Sequence, residues 1–395
     1  MAVEHQKRVE ALQEKLRERG WAAYLVTHNV NLYYFTGSMQ QGYFWIPDEG
    51  EPVYYVKRSV TRAASESSFR VEPLGSFRAW GAERSKEITD SSRIIATEYD
   101  VLPVQQLERL QAVLPDAQWQ DGSSMVREQR MVKSDEEIDA IRRAAAVIDE
   151  ALHECAAKIV AGMTELQLMA EIEYAIRRRG HYGIMRMRAY NQELFTGMVA
   201  AGAAAAMPSS FDGPAGGEGP GPAAPVGAGN RPLQRNEPIL IDIGCCIDGY
   251  VIDQTRTAVI GQMPPELESA YAHSERILRA TEAMLQPGTV CEELYTQALQ
   301  LAAEAGLEGN FMGYGQDQAK FLGHGIGLEI DEWPVLARGF RQQLEPGMVV
   351  AVEPKFTFPG SGVVGIENTY LITDTGFEKL TTSREGIWRI EGGQA

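Results

Sequence analysis

The sequence predicts an α/β domain over residues 1–128, followed by an α+β domain over residues 129–395 that is built from two related halves. In the first third, short apolar strands alternate with helical patterns, which is typical of a small α/β domain. In the remainder, the order helix, helix, hairpin occurs twice, and each hairpin carries two carboxylates within apolar strands. A chain of 395 residues is long enough to bury two cores.

The composition excludes several classes of protein. With 44% hydrophobic and 23% charged residues the chain resembles ordinary soluble proteins, and its net charge of −17 argues against a nucleic-acid partner. The N-terminus has no apolar signal region, and no apolar run approaches a membrane span. The four cysteines include the adjacent pair Cys245 and Cys246, a poor basis for a disulfide framework. We therefore expect a cytoplasmic protein without membrane contacts, and we expect a homodimer.

The N-terminal domain is predicted to begin with an amphipathic helix over residues 5–19 that ends near Gly20. An apolar strand at Trp21–Thr27 and the stretch Asn31–Gly37, NLYYFTG, follow. Further strands are predicted at 53–56, 69–71 and 93–97, with helices at 58–66 and 102–113. No cluster of metal ligands or nucleophiles occurs in this part of the sequence, so we expect the functional site in the second domain.

The second domain opens with a capping box formed by Ser134 and Glu137, which predicts a helix to about Val160. Two 19-residue segments follow, Gly162–Gly180 and Gly288–Gly306. Each contains a signal for the start of a helix, and each ends at a glycine. A helical run precedes each segment and an acidic hairpin follows each. A Thr-x-x-Gln/Glu capping box is predicted to open each one, at Thr164/Gln167 and Thr289/Glu292.

The first acidic hairpin is predicted at Ile239–Gly261, with a tight turn at Asp248–Gly249. A two-residue turn pairs Gly244 with Asp253. Asp242 then shares a strand face with Asp253, because side chains alternate along a strand. Two ionised carboxylates on one buried face repel each other unless a cation lies between them. Two exposed acids on a sheet edge are the alternative.

The second acidic hairpin is predicted at Val349–Thr373, with its turn at Pro359–Gly362. A three-residue loop would place Glu353 directly across from Glu367. Between the two hairpins lies His324, flanked by glycines in the stretch FLGHGIGLEIDEWP. Four carboxylates match the charge of two divalent cations. A mixed oxygen and nitrogen ligand set suits Mn, Co, Fe or Zn.

The stretch Ala201–Asn230 is rich in Gly, Ala and Pro and must be a loop. It leads directly towards the strand of Asp242, so we favour a loop over the mouth of the site rather than a mobile linker. Four polar residues upstream could line the same mouth or lie on the surface: His181, Arg186, Arg188 and Tyr190.

These motifs resemble those of the pita-bread metallopeptidase family, which includes aminopeptidase P, prolidase, methionine aminopeptidase and the non-metal relative creatinase. NLYYFTG is similar to the signature of the N-terminal domain in the aminopeptidase P, prolidase and creatinase branch. The likeness spans essentially the whole chain and implies a pita-bread fold for the second domain and Xaa-Pro peptidase activity. The matching motifs of the second domain are Asp253–Thr257, Gly323–Gly327, Glu353-Pro354 and Ile366-Glu367-Asn368.

The resemblance implies a site for two divalent metal ions with Asp242, Asp253, His324, Glu353 and Glu367 as ligands. Asp253 and Glu367 would bridge the ions, which would hold a water between them. Asp242 would complete one ion, and His324 with Glu353 the other. Such ions activate the water and polarise the scissile carbonyl. Glu353 would take the proton of the water, and His324 is the second predicted catalytic residue.

Three positions depart from the family pattern. An upstream histidine is replaced by the stretch Pro225–Gly227, a second histidine by Asp331, and an arginine before the last glutamate by Gly365. An ionised aspartate cannot donate a hydrogen bond. Asp331 therefore binds a substrate amine, which is the role we predict, or points away, or is held protonated. Lys355 and Arg338 are possible replacements for the missing groups, although Arg338 fits a solvated charge better.

The sequence therefore predicts a dinuclear metal-dependent hydrolase, an Xaa-Pro aminopeptidase or prolidase-like peptidase, with manganese as one candidate ion. The departures leave open a non-peptide amide or amidine hydrolase, or a lyase, on the same scaffold. A catalytically silent binding protein is a third possibility. The intact ligand set argues against it, because clustered carboxylates without a cation cost stability.

Overall fold

The computed structural model describes residues 2–88, 93–188, 190–211 and 213–391. The chain forms two compact units, Met1–Arg130 with Arg188–Asn191, and Met131–Met187 with Gln192–Ala395. Each unit is described by itself. The domain division between residues 128 and 129 stays a prediction.

Six strands form one mixed sheet in the described part of the N-terminal unit, in the order β4-β3-β2-β1-β5-β6. Helices surround this sheet, as expected for an α/β domain. The strands are β1 Ala23–Val26, β2 Gly42–Pro47, β3 Val53–Val56, β4 Arg70–Pro73, β5 Ile94–Thr97 and β6 Gln118–Asp121. The helices are α1 Ala2–Arg19, α2 Asn29–Thr36, α3 Val60–Glu66, α4 Phe77–Arg84, α5 Val104–Val113 and α6 Ser123–Met131.

The NLYYFTG stretch has a structural role in this unit. It forms most of α2, which ends at Gly37 in the left-handed conformation, with φ 78°. The Asn31 side chain donates to Glu98 Oε1 at 3.1 Å and accepts from Arg130 Nη1 at 2.9 Å. Both Asn31 and Glu98 are fully buried, so this network satisfies their polar atoms.

The C-terminal unit contains three sheets in its described part, ordered β17-β9-β8-β7, β11-β10-β12-β15-β16 and β13-β14. Its helices are α7 Asp135–Ala156, α8 Glu165–Arg177, α9 Pro265–Glu282 and α10 Cys291–Glu304. Its strands are β7 Gly197–Ala201, β8 Pro238–Ile247, β9 Tyr250–Ile260, β10 Phe321–Gly325, β11 Glu332–Ala337, β12 Val349–Val352, β13 Lys355–Phe358, β14 Gly362–Gly365, β15 Asn368–Thr373, β16 Gly376–Lys379 and β17 Trp388–Ile390.

The two halves of this unit are related, as the sequence predicted. In the first half the N-terminus of α8 donates backbone hydrogen bonds to an extended segment at residues 229–233, and in the second half α10 donates to residues 340–344. Three bonds of the first half each match one of the second half. Gly162 N to Leu233 O matches Gly288 N to Leu344 O, and Glu165 N to Arg231 O matches Cys291 N to Gln342 O. Leu166 N to Gly229 O matches Glu292 N to Phe340 O.

One capping box that the sequence predicted is absent. Ser134/Glu137 and Thr164/Gln167 form capping boxes. Thr289 does not cap α10: the helix begins at Cys291, and the Thr289 hydroxyl donates to Met284 O at 2.7 Å. Val290 rather than Thr289 is the N-cap of α10, so Thr289 lies one residue before the position from which a side chain caps this helix.

A buried arginine joins the two acidic hairpins. Arg256 is fully buried on β9, and its Nη1 donates to Glu367 O at 2.7 Å and to Thr255 O at 2.8 Å. Its Nη2 donates to Asn368 Oδ1 and to Ser383 O, each at 2.9 Å. A planar guanidinium can make all of these bonds at once, which a lysine cannot. Arg256 therefore fixes the backbone that carries Glu367.

None of the helices in the described residues is long and apolar enough to cross a membrane.

Replacing Arg256 with Lys should lower the free energy of unfolding by about 3 kcal/mol or more, because several buried acceptors lose their donor. Chemical denaturation of the metal-free protein measures this change. Arg389→Lys is the matched control, since Arg389 is about half exposed and pairs with Glu268 on the surface. We expect the control to lose less than about 0.5 kcal/mol. Equal losses in the two variants would show that the Arg256 network contributes little.

Candidate metal centre and its cavity

The first hairpin has the predicted register. Strands β8 and β9 meet at a turn in which Asp248 and Gly249 have φ of 50° and 85°. Gly244 pairs with Asp253 and Asp242 pairs with Thr255, so the two aspartates lie diagonally on one sheet face.

The second hairpin also has the predicted register, but its strands are interrupted. Val352 pairs with Asn368 before the interruption, and Lys355 pairs with Gly365 after it. Glu353 and Glu367 lie across from each other between these pairs. Pro354 cannot donate a ladder hydrogen bond, which accounts for a break at this point. The break turns both glutamates out of the regular ladder.

The threonines of the Asp253–Thr257 motif position the second hairpin. Thr255 Oγ1 donates to Glu367 Oε2 at 2.7 Å, and Thr257 Oγ1 donates to Gly365 O at 2.7 Å. Thr255 therefore orients one carboxylate of the site directly. The sequence analysis did not assign this role. The alternation of Asp253 and Thr255 on one strand face could have indicated it.

His324 is held between two carboxylates. Its Nδ1 lies 3.1 Å from Gly325 O and 3.3 Å from Asp331 Oδ1, and its Nε2 lies 3.7 Å from Glu353 Oε1. Burial alone would lower the pKa of His324, but the charges of Asp331 and Glu353 outweigh it and raise this pKa. The ring is thus oriented with Nε2 towards the other acidic residues of the site, the usual arrangement of a metal-ligating histidine.

Glycines flank His324 because neighbouring backbones approach closely. A Cβ on Gly323 would lie 2.0 Å from Ala351 O, and a Cβ on Gly325 would lie 2.3 Å from Trp333 O. Only glycine allows β10 to pack between its neighbours at these positions.

The five predicted ligands come together in two groups of donor atoms. Asp253, His324 and Glu367 form one group, and Asp242, Glu353 and Glu367 form the other, each with its atoms within 4.8 Å of one another. Glu367 belongs to both groups. Asp242 and Glu353 share a group here, whereas the resemblance assigns them to different ions. The allocation of ligands to ions stays a prediction.

The carboxylates need a cation. Burial, with the charges of Glu367 and Asp242, raises the pKa of Asp253 well above its ordinary value. Burial also raises the pKa of Glu367, and with the charge of Glu367 it raises the pKa of Glu353 to about 7. Within the part of the chain that the structure describes, the buried Glu367 Oε1 has no hydrogen-bond partner. This orphaned oxygen fits a metal ion in the group of Asp253 and His324.

The second group already contains a cation. Lys355 Nζ lies 2.9 Å from Asp242 Oδ2, 2.5 Å from Glu353 Oε2 and 3.4 Å from Glu367 Oε2. From the sequence, Lys355 was predicted only as a possible substitute for missing substrate-binding groups. The position of Lys355 at the centre of the ligand set depends on its strand pairing with Gly365.

A cavity opens over the site. The predicted ligands Asp242, Asp253, His324 and Glu353 line it together with Asp331. Phe211, Pro214 and Val226 of the Gly- and Pro-rich stretch also line it. These residues therefore lie at the cavity, and the covering of its mouth by this stretch stays a prediction.

Other polar residues that we considered for this cavity lie elsewhere. His181 Nδ1 accepts a hydrogen bond from Cys246 N at 2.9 Å. Arg188 forms a two-bond ion pair with Asp100 in the N-terminal unit, and Tyr190 is 87% exposed. Arg186 is absent from the cavity lining, and Arg338 is exposed. Contact with β8 accounts for the position of His181, and ion pairing accounts for that of Arg188.

Comparisons with known proteins agree with this geometry. Residues 139–374 match the metallopeptidase family M24, and residues 8–132 match the creatinase/prolidase N-terminal domain. The chain is 28% identical over 391 residues to an Xaa-Pro dipeptidase of Pyrococcus horikoshii, a match that covers 96% of this chain and 99% of the relative. It is 28% identical over 394 residues to an Xaa-Pro dipeptidase of Lactobacillus delbrueckii subsp. lactis, which covers 95% of this chain and 97% of the relative.

Among solved structures, the prolidase of Pyrococcus horikoshii OT3 has a TM-score of 0.80 at 26% identity, covering 96% of this chain and 99% of that chain. These matches confirm the resemblance inferred from the motifs. They also confirm the predicted fold class, an α/β domain followed by a pita-bread domain.

Ionisation of the buried acids of the site should make the metal-free protein less stable as pH rises. The folded-state pKa values of Asp253, Glu353 and Glu367 exceed those of an unfolded chain, which lie near 4. Between these values the folded state binds more protons, so the contribution of Glu353 to stability is lost as pH rises from about 4 to about 7.

Thermal unfolding of EDTA-treated protein tests this expectation. Glu353→Gln removes one of the acids, so its Tm relative to the unsubstituted protein should rise with pH across this range. A Tm difference that is constant or falls with pH would contradict it.

Proposed function

Because this chain belongs to metallopeptidase family M24, we propose that it is a metal-dependent exopeptidase that cleaves Xaa-Pro bonds. Metal-dependent hydrolysis is the predicted activity that the family match supports. Proline specificity is supported by the names of relatives that match over nearly the whole chain. The observation that carries the proposal is the convergence of five potential metal ligands, four of which line one cavity: Asp242, Asp253, His324 and Glu353, with Glu367 shared by both groups of donor atoms.

These five residues are the proposed ligands of divalent metal, for which Mn, Co, Zn and Fe are the candidates. The sequence predicts two ions, and the donor atoms fall into two groups. A bound ion lowers the pKa of water and polarises a carbonyl. The prediction of two ions conflicts with the presence of the Lys355 ammonium in the second group.

Glu353 is the proposed general base. Its pKa of about 7 is close to the pH at which the protein would operate, so its carboxylate can accept a proton and release it again. Glu353 lines the cavity and lies 3.7 Å from His324 Nε2. His324 is the second proposed catalytic residue, and Asp331 and Gly325 O fix the orientation of its ring.

Asp331 is proposed to bind the amine of the substrate. Its side chain is 39% exposed and lines the cavity, which supports this role over that of an aspartate turned away from the site. Glu193 is, with Asp331, a second acid of the lining that is not a proposed metal ligand. Among the described residues that line the cavity there is no arginine or lysine. A positively charged amine is therefore attracted to this cavity, and a carboxylate is repelled.

This charge distribution favours an aminopeptidase over a strict dipeptidase. In an Xaa-Pro dipeptide the carboxylate lies next to the scissile bond and would enter an acidic cavity without a cationic partner. In Xaa-Pro-Yaa the carboxylate lies one residue further out. The apolar lining, which includes Phe195, Phe211 and Ile330, suits a proline ring and an apolar first residue.

We also propose that the protein is a cytoplasmic homodimer that binds neither nucleic acid nor membrane. The net charge of −17 supports the first exclusion. The four cysteines lie within the described residues and are free and buried, which fits a reducing compartment. The domain division at residues 128 and 129 remains part of this proposal.

Peptide cleavage by the purified protein, loaded in turn with Mn, Co and Zn, tests the proposed function. We expect hydrolysis of Xaa-Pro-Yaa peptides, with a lower kcat/KM for Xaa-Pro dipeptides. Glu353→Gln should lower kcat by about 100-fold or more, because it removes the base. Metal binding without cleavage of any peptide would contradict the proposal and favour a non-peptide substrate on this scaffold.

The role of Asp331 predicts a preference for a free amine over an acetylated N-terminus of about tenfold or more in kcat/KM, the size of one charge-assisted hydrogen bond. Asp331→Asn and Asp331→His should each erase this preference. The preference is the ratio of the two kcat/KM values measured on the same variant. A change at His324 affects both substrates and therefore cancels in this ratio. Glu193→Gln is the matched control. If only that control erases the preference, the amine binds at Glu193 instead.

A further inference from the structure

Lys355 lies at the centre of one of the two groups of metal-ligand atoms. Its side chain is 1% exposed. Among the described residues, the charged groups that its ammonium contacts are the carboxylates of Asp242, Glu353 and Glu367. The nearest oxygens of these carboxylates lie 2.9, 2.5 and 3.4 Å from Nζ, so the side chain places a positive charge among three acids.

The bonds of this ammonium are fully used. A lysine ammonium has three N–H donors, and three carboxylates surround this one. It has no donor left for a substrate carbonyl or carboxylate. Lys355 is thus not a replacement for the substrate-binding groups that the sequence lacks.

The fold makes room for this side chain at Gly365. Lys355 pairs with Gly365 across the second hairpin. A Cβ on Gly365 would lie 2.5 Å from Lys355 Cγ and 2.7 Å from Pro354 O. A larger residue at position 365 would displace the lysine, so the two positions form one packing unit.

An ammonium and a divalent ion cannot share this group. Divalent ions bind carboxylate oxygens at about 2.0–2.2 Å and need the same oxygen atoms that Lys355 contacts. The other group offers a different situation. Glu367 Oε1 is buried without a hydrogen-bond partner among the described residues, and Asp253 and His324 lie beside it.

We propose that the ammonium of Lys355 takes the place of one of the two divalent ions, so that the chain binds a single ion at Asp253, His324 and Glu367. This inference rests on the proposed metal-dependent function and specifies its centre. One divalent ion and one ammonium together carry less positive charge than the four carboxylates carry negative charge. The remaining negative charge reinforces the preference of the cavity for an amine.

Metal content tests the inference. The protein is stripped with chelator, dialysed against excess Mn or Zn, freed of unbound ion and analysed by elemental mass spectrometry. We expect one ion per chain for the unsubstituted protein and two for Lys355→Ala, in which the second group is vacated. The matched control is Lys379→Ala, which removes a lysine paired with Glu385 at 2.7 Å away from these ligands, and should bind one ion. Two ions in the unsubstituted protein, or one in Lys355→Ala, would overturn the inference.

A second measurement needs no variant, in case Lys355→Ala fails to fold. Electron paramagnetic resonance of the Mn-loaded, unsubstituted protein should show an isolated ion at every Mn concentration. Two ions at the separation typical of dinuclear sites, about 3.5–4 Å, would couple magnetically, and that spectrum would overturn the inference. Peptide cleavage is measured separately. A single ion without cleavage would refute the proposed function and leave the single-ion centre intact.

Discussion

The fold places four carboxylates, from Asp242, Asp253, Glu353 and Glu367, against one another in a space with little solvent. Their mutual repulsion is the constraint that the other residues of the site must offset. Burial, together with this repulsion, raises the pKa values of Asp253 and Glu353, and the repulsion requires positive charge within the ligand set. Thr255 and the buried Arg256 hold the second hairpin in place against this repulsion, by bonding the side chain and the backbone of Glu367.

The two halves of the C-terminal unit explain why the acids converge. Each half has a helix whose N-terminus is tied to the segment that leads into its hairpin, and each hairpin carries two acids. Asp242 and Glu353 occupy matching places, nine residues after Leu233 and Leu344, which form matching hydrogen bonds with α8 and α10. The halves differ in the other residues that they contribute to the site, since the second half contributes His324 and Lys355.

Much of this could be predicted from the sequence. Hairpin register follows from turn length, so the pairing of Gly244 with Asp253 and the position of Glu353 opposite Glu367 were predictable. The place of Lys355 was not, because it depends on the space left by Gly365 on the facing strand. The absent cap at Thr289 has a local cause, since Val290 is the N-cap of α10 and the Thr289 hydroxyl donates to Met284 O. Strands β2 and β6 and helices α4 and α6 were not predicted either, although the apolar and aromatic residues of β2, GYFWIP, are typical of a strand.

A lysine among metal ligands changes what the centre can do. It supplies a fixed charge but, with its donors taken by carboxylates, it cannot activate water as a metal ion does. The most direct test is anomalous diffraction from a crystal of the unsubstituted protein grown with excess Mn. A single anomalous peak bounded by Asp253, His324 and Glu367, with Lys355 Nζ still between Asp242 and Glu353, is the predicted result. Two peaks, with Lys355 moved out of the ligand set, would contradict the account.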